Sequence, residues 1–556
     1  MAIYTGAQIA IKLLERQGIK IISGIPGGPI LPFYDALSKS DQITHILARH
    51  EQGAGFIAQG IARSTGLPAV CVASSGPGAT NLLTAIADAK LDSIPLIAIT
   101  GQVPQSMIGT DAFQEVDTYG LSLPITKHNF LIKSAKELLD VIPRAFSIAM
   151  SGRPGPVLID LPKDVQNEIL DISEFPEPGQ IEAQPSHSSE NNYEEAASLI
   201  NSAKRPILYL GGGVVHADSA DAAIAFAEKS SIPTVMTLMA LGTLPMTHSL
   251  SLGMLGMHGA RYTNLALDEC DLLIVVGARL DDRATGKIEK FCPRAKLIHV
   301  DIDPSEIGKL RMPHLPIVGD AGHFLKSILP MIELNQRPQW IERINELKTI
   351  HPLSKPGIDD ISTHFGLINA AANCLPSDAI IVTDVGQHQM WVAQSYPLNR
   401  SRHWLTSGGL GTMGFGLPAA IGAAVANPKK TVVCFTGDGS IMMNIQELAT
   451  AAELNVNIKI ILMNNQSLGM VHQQQAMFFD KRIFASKYQT ASKFMMIAEG
   501  FGIAAVDLDT SSNPELSLMK ALQGRGPCLI HSSVDIHQHV LPIVPPGASN
   551  LEMIGN

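Results

Sequence analysis

Aromatic residues are scarce in this chain, at 5% with three tryptophans, while glycine (47) and proline (35) are plentiful. That balance suits α/β domains whose many tight loops meet small ligands. Positive charge is also short. Lys and Arg number 41 against 51 Asp and Glu, a formal net charge of −10, which disfavours a nucleic-acid-binding role. The six cysteines, Cys71, Cys270, Cys292, Cys374, Cys434 and Cys528, have no CxxC spacing, so no zinc or thioredoxin-like pattern is visible. Those in "AVCVASS" and "TVVCFTG" read as buried strand residues. No run supplies the ~18 apolar residues of a membrane span. The opening "MAIYTGAQIAIKLLERQG" reads as an amphipathic helix carrying charges, not as a secretory signal. A cytoplasmic protein is expected.

At 556 residues the chain is too long for one hydrophobic core, and its size suggests two to four domains. Short apolar runs such as "RPILYLGGGVV", "CDLLIVVGAR", "AIIVTDVG", "TVVCFTGDG" and "IKIILMNN" end in Gly, Asp or Asn. This is how strands buried on both faces of a parallel sheet read, with crossover helices between them. Two stretches read as linkers: Phe175 to Glu195, rich in Pro, Ser and acids, and Glu333 to Ser362, one charged helix followed by prolines. The expectation is three α/β domains, each a mainly parallel sheet flanked by helices: 1–175, 190–335 and 360–556.

The most informative stretch runs from Thr431 to Val471. A strand ends in Gly437-Asp438-Gly439-Ser440, and a helix is expected next, with Ile441, Ile445, Leu448 and Ala452 near helical spacing. A second strand, Ile458 to Met463, then ends in Asn464-Asn465. Both polar loops fall at the sheet edge where open α/β sheets bind ligands. Glycines let the backbone approach a phosphate, and a helix N-terminus offers N–H donors. Asp438 and the Asn465 amide are hard oxygen ligands of the kind Mg²⁺ uses beside phosphate oxygens. Taken alone, "GDGS" reads as a tight turn with Asp438 as a helix cap. The asparagine pair 27 residues later reverses that preference. A second puzzle is Glu51 in "RHEQGAGFIAQGIAR", the only acid in a run made to pack closely. A buried carboxylate is costly unless something pairs with it or uses it. Alone, a structural reading, as a helix N-cap or a surface acid beside Arg49, weighs about as much as a functional one.

GDG followed by NN resembles the diphosphate motif of thiamine-diphosphate enzymes. The resemblance implies Mg²⁺ held by Asp438, Asn465 and the Ser467 carbonyl. It also implies that Glu51 hydrogen-bonds the aminopyrimidine ring and controls the proton whose loss generates the cofactor's carbanion, with the surrounding small residues as a floor for that ring. "ASSGPGATN" would bring Pro77 and Asn81 to the ring. "TDVGQHQMW" would bring Gln387 and His388 to the diphosphate. "SGGLGTMGFG" would supply Gly411 and a wedge, Met413. Gly439, Ser440, Gly469 and Met470 complete the implied cofactor set.

Across nearly the whole chain the resemblance is to the large catalytic subunits of acetolactate synthase, and within them to the isozyme I type of enteric bacteria. It is carried by "GIPGGPILPFYDAL", "IGTDAFQEVDTYGLSLPITKHNF", "SGRPGPVLIDLPKDVQ", "LGMLGMHG", "GARLDDR" and "VPPGASN". The implied activity decarboxylates pyruvate and joins the two-carbon unit to a second pyruvate or to 2-ketobutyrate. Gly28, Phe113, Gln114 and Lys163 would line the reacting centre from the first domain, and Val385 would lie beside substrate. Glu51 would meet the GDG loop across a subunit interface, so a homodimer or dimer of dimers is expected. A separate small regulatory subunit is expected too.

The same resemblance implies FAD without a redox role. Its contacts would be Arg153, Gly211, Gly212, Gly213, Thr237, Leu238, Met257, His258, Gly277, Arg279, Asp281, Arg283, Asp301, Ile302 and Asp320. "RLDDR" has Leu280 where relatives have Phe. Arg283 would also bind the carboxylate of the second keto acid, a task suited to a bidentate donor. In "MVHQQQ", Gln474 stands where most relatives have a Trp that packs on the extra methyl of 2-ketobutyrate. Losing a contact of that size costs roughly 1–3 kcal/mol of discrimination, so weak preference for 2-ketobutyrate is expected. The other reading of this stretch is a surface glutamine run. Glyoxylate carboligases lack the acid at the position of Glu51, which sets this chain apart from them.

Overall fold

The computed structural model describes residues 2–179 and 190–555. Three six-stranded sheets, every pairing in them parallel, follow one another along the chain. The first runs in the order Thr44–Leu47, Ile21–Gly24, Ala69–Ala73, Leu96–Gln102, Val157–Pro162 and His128–Leu131. The second is centred on Pro206–Leu210 and Leu272–Val276, paired Leu272↔Pro206 through Val276↔Leu210. The third is centred on Val432–Gly437 and Ile458–Asn464, paired Val432↔Ile458 through Gly437↔Met463. The uninterrupted apolar runs form these central strands. Ala69–Ala73, Leu272–Val276 and Ile458–Asn464 are buried at every position, because helices cover both faces. Cys71 and Cys434 lie buried in strands as expected, and so does Cys528, whereas buried Cys270 and Cys292 lie outside them.

Four local expectations are corrected. The N-terminal helix starts only at Gly6, because Thr5 and Gln8 form a reciprocal capping box. The residues before it, Ala2–Thr5, pair antiparallel with Ile169–Ile172. The helix expected after GDGS is split into Asp438–Ile441 and Glu447–Leu454, so Ile445 lies between helices. In the middle segment a short helix, Gly212–His216, precedes the helix Ala220–Lys229, whose N-cap residue is Ser219. The linker expected over 175–195 lies partly outside the described residues, at 180–189, and its last residues already belong to the helix Glu190–Ser202. The charged helix of the second expected linker, Pro338–Ile350, buries Trp340, Ile344 and Leu347. Trp340 donates its indole N–H to the Pro206 carbonyl at 3.0 Å, which fastens this helix to the middle sheet.

The first and third segments meet through two helices, Glu51–Thr65 and Gly416–Ala426, with Phe56 edge-on to Phe415 at 5.4 Å. Glycine permits this approach. A Cβ on Gly60 would lie 2.0 Å from the Ala419 carbonyl oxygen, and one on Gly422 would lie 1.9 Å from that of Ile57. Gly55 likewise faces the Ala85 methyl. The small residues after Glu51 are therefore used for helix packing within the chain, not as a floor for a ring as expected.

Candidate functional site

A cavity of about 750 Å³ opens between the middle and third sheets. Its third-segment wall is made by loops at the carboxyl ends of parallel strands, the usual ligand edge. These loops bring together the expected Val385, Gln387, His388, Gly411, Met413, Asp438, Gly439, Ser440, Asn465, Ser467, Gly469, Met470 and Gln474. The opposite wall contains the expected Thr237, Leu238, Met257, His258, Arg279, Asp281 and Arg283.

Asp438 starts the helix after its strand, and its carboxylate accepts from the backbone N–H groups of Asn465 (3.4 Å) and Ser467 (3.1 Å). Burial pushes its pKa up to about 6, against these backbone donors. A cation beside it would favour the charged form. Asn465 donates through Nδ2 to Gln387 Oε1 at 3.1 Å, which directs the amide nitrogen away and leaves its oxygen as the ligand atom. The donor set therefore fits a hard divalent ion. His388 is buried, its pKa pushed down to about 3 by desolvation, so the imidazole is neutral. Its Nε2 has no protein partner.

The glutamine run is not a uniform surface. Gln473 is buried and bonded to Gln387 (3.0 Å) and to both backbone groups of Val540. Gln475 binds the Ser486 hydroxyl at 2.7 Å, and Gln474 lines the cavity.

The remaining first-segment candidates gather elsewhere and do not line this cavity. Glu51 is the first residue of its helix, His50 being the cap, and it accepts from Asn81 Nδ2 at 2.9 Å. Gly76, just before Pro77, has φ +57, and a Cβ there would lie 2.9 Å from the Gln114 Cα. Gln114 thus packs on the turn before Pro77, and a Cβ on Gly78 in the same turn would lie 3.4 Å from Glu51 Oε1. Gly28 begins a short helical turn whose Pro29 carbonyl accepts from Gln166, in the turn opened by Lys163. Phe113 is 87% exposed.

Of the remaining flavin candidates, Arg153 is paired with Asp303 and Glu306. Asp301 ends a strand and accepts from the Asp303 N–H at 2.9 Å, and burial pushes its pKa up to about 6. Ile302 follows it, and Asp320 caps a helix by accepting from the His323 N–H at 2.8 Å. Gly211 and Gly213 serve packing. A Cβ on either would fall within 2.7 Å of Gly277 atoms, whereas Gly212 meets only the Met239 Cβ at 3.5 Å. All of these except Arg153 lie at or just after the carboxyl ends of middle-sheet strands, which fits a bound dinucleotide. Leu280 is buried in a hydrophobic cluster that also holds Tyr209 and Phe291, and the Arg283 side chain is 67% exposed at the cavity wall.

Sequence reasoning missed three acids that shape the site. Asp384 is fully buried and accepts from the N–H groups of Val385 (2.8 Å), Gly414 (2.8 Å) and Gly416 (3.1 Å), fixing the Met413 turn. Asp88 and Asp92 share Arg63 at 3.0 and 2.8 Å. Asp92 also accepts from the Gly408 and Gly409 N–H groups, and Asp88 from the hydroxyls of Ser407 and Thr412. The first segment thereby holds the 407–412 loop of the cavity. Nothing in the local pattern announces an acid whose partners lie over 300 residues away.

The profile of the thiamine pyrophosphate enzyme N-terminal TPP binding domain matches residues 4–121. The central-domain profile matches 193–328, and that of the C-terminal TPP binding domain matches 384–532. The chain is 60% identical over 552 residues to the acetolactate synthase isozyme 1 large subunit of Escherichia coli K12, covering 99% of this chain and 98% of that one. It is 46% identical over 551 residues to the isozyme 2 large subunit of the same organism, covering 99% of each. The acetolactate synthase large subunit of Corynebacterium glutamicum is 44% identical over 565 residues, 99% of this chain and 90% of that one. Among the described residues no helix is long and apolar enough to cross a membrane.

Proposed function

Because the chain belongs to the acetolactate synthase large subunits, thiamine pyrophosphate enzymes, we propose that it makes 2-acetolactate from two pyruvates and 2-aceto-2-hydroxybutyrate from pyruvate and 2-ketobutyrate. These are committing reactions of branched-chain amino-acid synthesis. Thiamine diphosphate, when bound, would supply a nucleophilic carbon that adds to the keto carbon of pyruvate and an electron sink for the loss of CO₂, leaving a two-carbon unit for transfer to the acceptor. The observation that carries this reading is the Asp438 carboxylate, locked by the 465–467 backbone at one wall of a cavity lined also by Gln387 and His388.

On this reading Asp438, Asn465 and the Ser467 carbonyl would hold Mg²⁺, which would neutralise the diphosphate charge. Gly439, Ser440, Gly469, Gln387 and His388 offer it polar and backbone contacts, while Met413 and Met470 exclude water. The polar residues at the carboxyl ends of the middle-sheet strands would hold FAD as a structural cofactor, and Arg283 would orient the acceptor's carboxylate. Gln474 replaces an apolar wall, so discrimination in favour of 2-ketobutyrate is weak. Glu51, with Pro77 and Asn81, holds and moves the proton at the aminopyrimidine. Gly28, Phe113, Gln114 and Lys163 close the reacting centre.

Since these first-segment groups stand outside the cavity of their own chain, they serve the cavity of a second copy. A homodimer is the smallest active unit. Exposed Phe113, next in sequence to the Gln114 that packs on Gly76, supports that reading. The relatives are named large subunits, which supports a separate small regulatory subunit for this chain. The division 1–175, 190–335 and 360–556 and a cytoplasmic location belong to the same proposal. Purified protein given pyruvate, thiamine diphosphate, Mg²⁺ and FAD should release CO₂ and form acetolactate without net flavin reduction. Absence of both products, or stoichiometric flavin reduction, contradicts it.

A further inference from the structure

Glu51 begins its helix, so its side-chain direction depends on how the two residues before it are held. Their free N–H groups need acceptors, as at any helix start, and the acceptor comes from the third segment. Glu447 Oε1 accepts from the N–H groups of both Arg49 and His50, each at 3.0 Å. Its Oε2 accepts from the Thr450 hydroxyl at 2.7 Å. The Glu447 side chain is fully buried. Room for it exists because residue 53 is glycine: a Cβ there would lie 2.4 Å from Glu447 Oε1. Burial raises the Glu447 pKa, and the Thr450 hydroxyl and the two N–H groups act against that rise.

The grip does not depend on one side chain alone. Glu453, in the same helix as Glu447, pairs with the Arg49 guanidinium. Asn444 donates to Gln52 at 3.1 Å and to the Gly414 carbonyl at 2.9 Å, which ties the Glu51 turn to the loop that carries Met413. Among these contacts the Glu447 carboxylate is the group that fixes the backbone immediately before Glu51.

We propose that Glu447 is a positioning residue for Glu51, holding the 49–50 backbone so that the Glu51 carboxylate meets the aminopyrimidine at a fixed angle. This rests on the reading of Glu51 as the proton-handling acid and goes beyond it by naming the group that sets its geometry. A misplacement near 1 Å at a reacting group costs up to about 100-fold in rate, and Glu447 acts at that scale.

The test is deuterium exchange of the thiazolium C2 proton of thiamine diphosphate bound to the holoenzyme. It compares wild type, Glu51→Gln, Glu447→Ala, Glu447→Gln, Thr450→Val and the double variants Glu51→Gln/Glu447→Ala and Glu51→Gln/Thr450→Val. Amide exchange over residues 46–58 is measured alongside in the cofactor-free protein. Glu447→Ala should slow C2 exchange about tenfold or more and raise amide exchange around residue 51, with cofactor affinity changed less than about threefold. Glu447→Gln, whose amide oxygen can still accept both N–H groups, should restore most of the rate. In the Glu51→Gln background, loss of Glu447 should add nothing, because it acts through Glu51.

Wild-type C2 exchange in Glu447→Ala, or a further slowing in the double variant, overturns the inference. If Glu447→Ala does not fold, Thr450→Val decides: slowed exchange that disappears in the Glu51→Gln background supports the inference, and an unchanged rate overturns it. Wild-type exchange in Glu51→Gln itself overturns the reading of Glu51 and the inference with it. Slow exchange in Glu51→Gln with normal exchange in Glu447→Ala overturns the inference alone.

Discussion

Two residues show how differently a single side chain can bear on this cavity. Gln474 lines it between Gln473 and Gln475, each tied to protein partners, so a change at 474 alters the wall without releasing its neighbours. Gln474→Trp should restore an apolar contact and shift the product ratio toward 2-aceto-2-hydroxybutyrate about tenfold or more, the equivalent of roughly 1–3 kcal/mol. Competition between pyruvate and 2-ketobutyrate measures it, and an unchanged ratio contradicts the assigned role. Asp384 bears on the cavity from behind. Burial raises its pKa to about 6 in spite of three backbone donors. A carboxyl raised on folding contributes stability that is present below its unfolded value, about 4, and is lost as pH rises through about 6. Against an Asp384→Asn variant, wild-type thermal stability should therefore decline between those limits. A constant difference between the two proteins from pH 4 to 7 contradicts this.

At the scale of elements, the crossing of Glu51–Thr65 over Gly416–Ala426 is the contact most sensitive to added volume. Gly60→Ala places a methyl 2.0 Å from the Ala419 carbonyl oxygen, so the helices must separate. Overpacking of this kind costs about 1–3 kcal/mol and should appear as a lowered midpoint in thermal unfolding, while an unchanged midpoint shows that the crossing can relax. This crossing also marks the limit of what the sequence reveals. Strands such as Ile458–Asn464 are legible because both faces are buried and the apolar run is unbroken. The loops after them are legible because Gly, Asp and Asn at strand ends have few other uses. The break between Asp438–Ile441 and Glu447–Leu454 is not legible. Ile441, Ile445, Leu448 and Ala452 keep a helical period across it, while Asn444 is drawn instead to Gln52 and Gly414. The glycines after Glu51 misled for the same reason: their neighbours at 419 and 447 are remote in sequence.

At the scale of the whole molecule, one chain carries two groups of candidate residues, and only one of them lines the cavity. The cavity gathers Asp438, Asn465, His388 and the middle-sheet residues, while Glu51, Asn81 and Gln114 gather outside it. In the proposed homodimer the first group of one chain meets the second group of its partner chain. Mixed dimers of one Glu51→Gln chain and one Asp438→Ala chain, each inactive as a homodimer, test this most directly. One of the two shared sites then holds both defects and the other holds neither. The account predicts that purified mixed dimers regain about half of wild-type turnover, since general acid–base groups worth about 10²–10⁴-fold are intact at one site. Turnover no higher than that of the parent homodimers would contradict it and place Glu51 and Asp438 in the same chain's site.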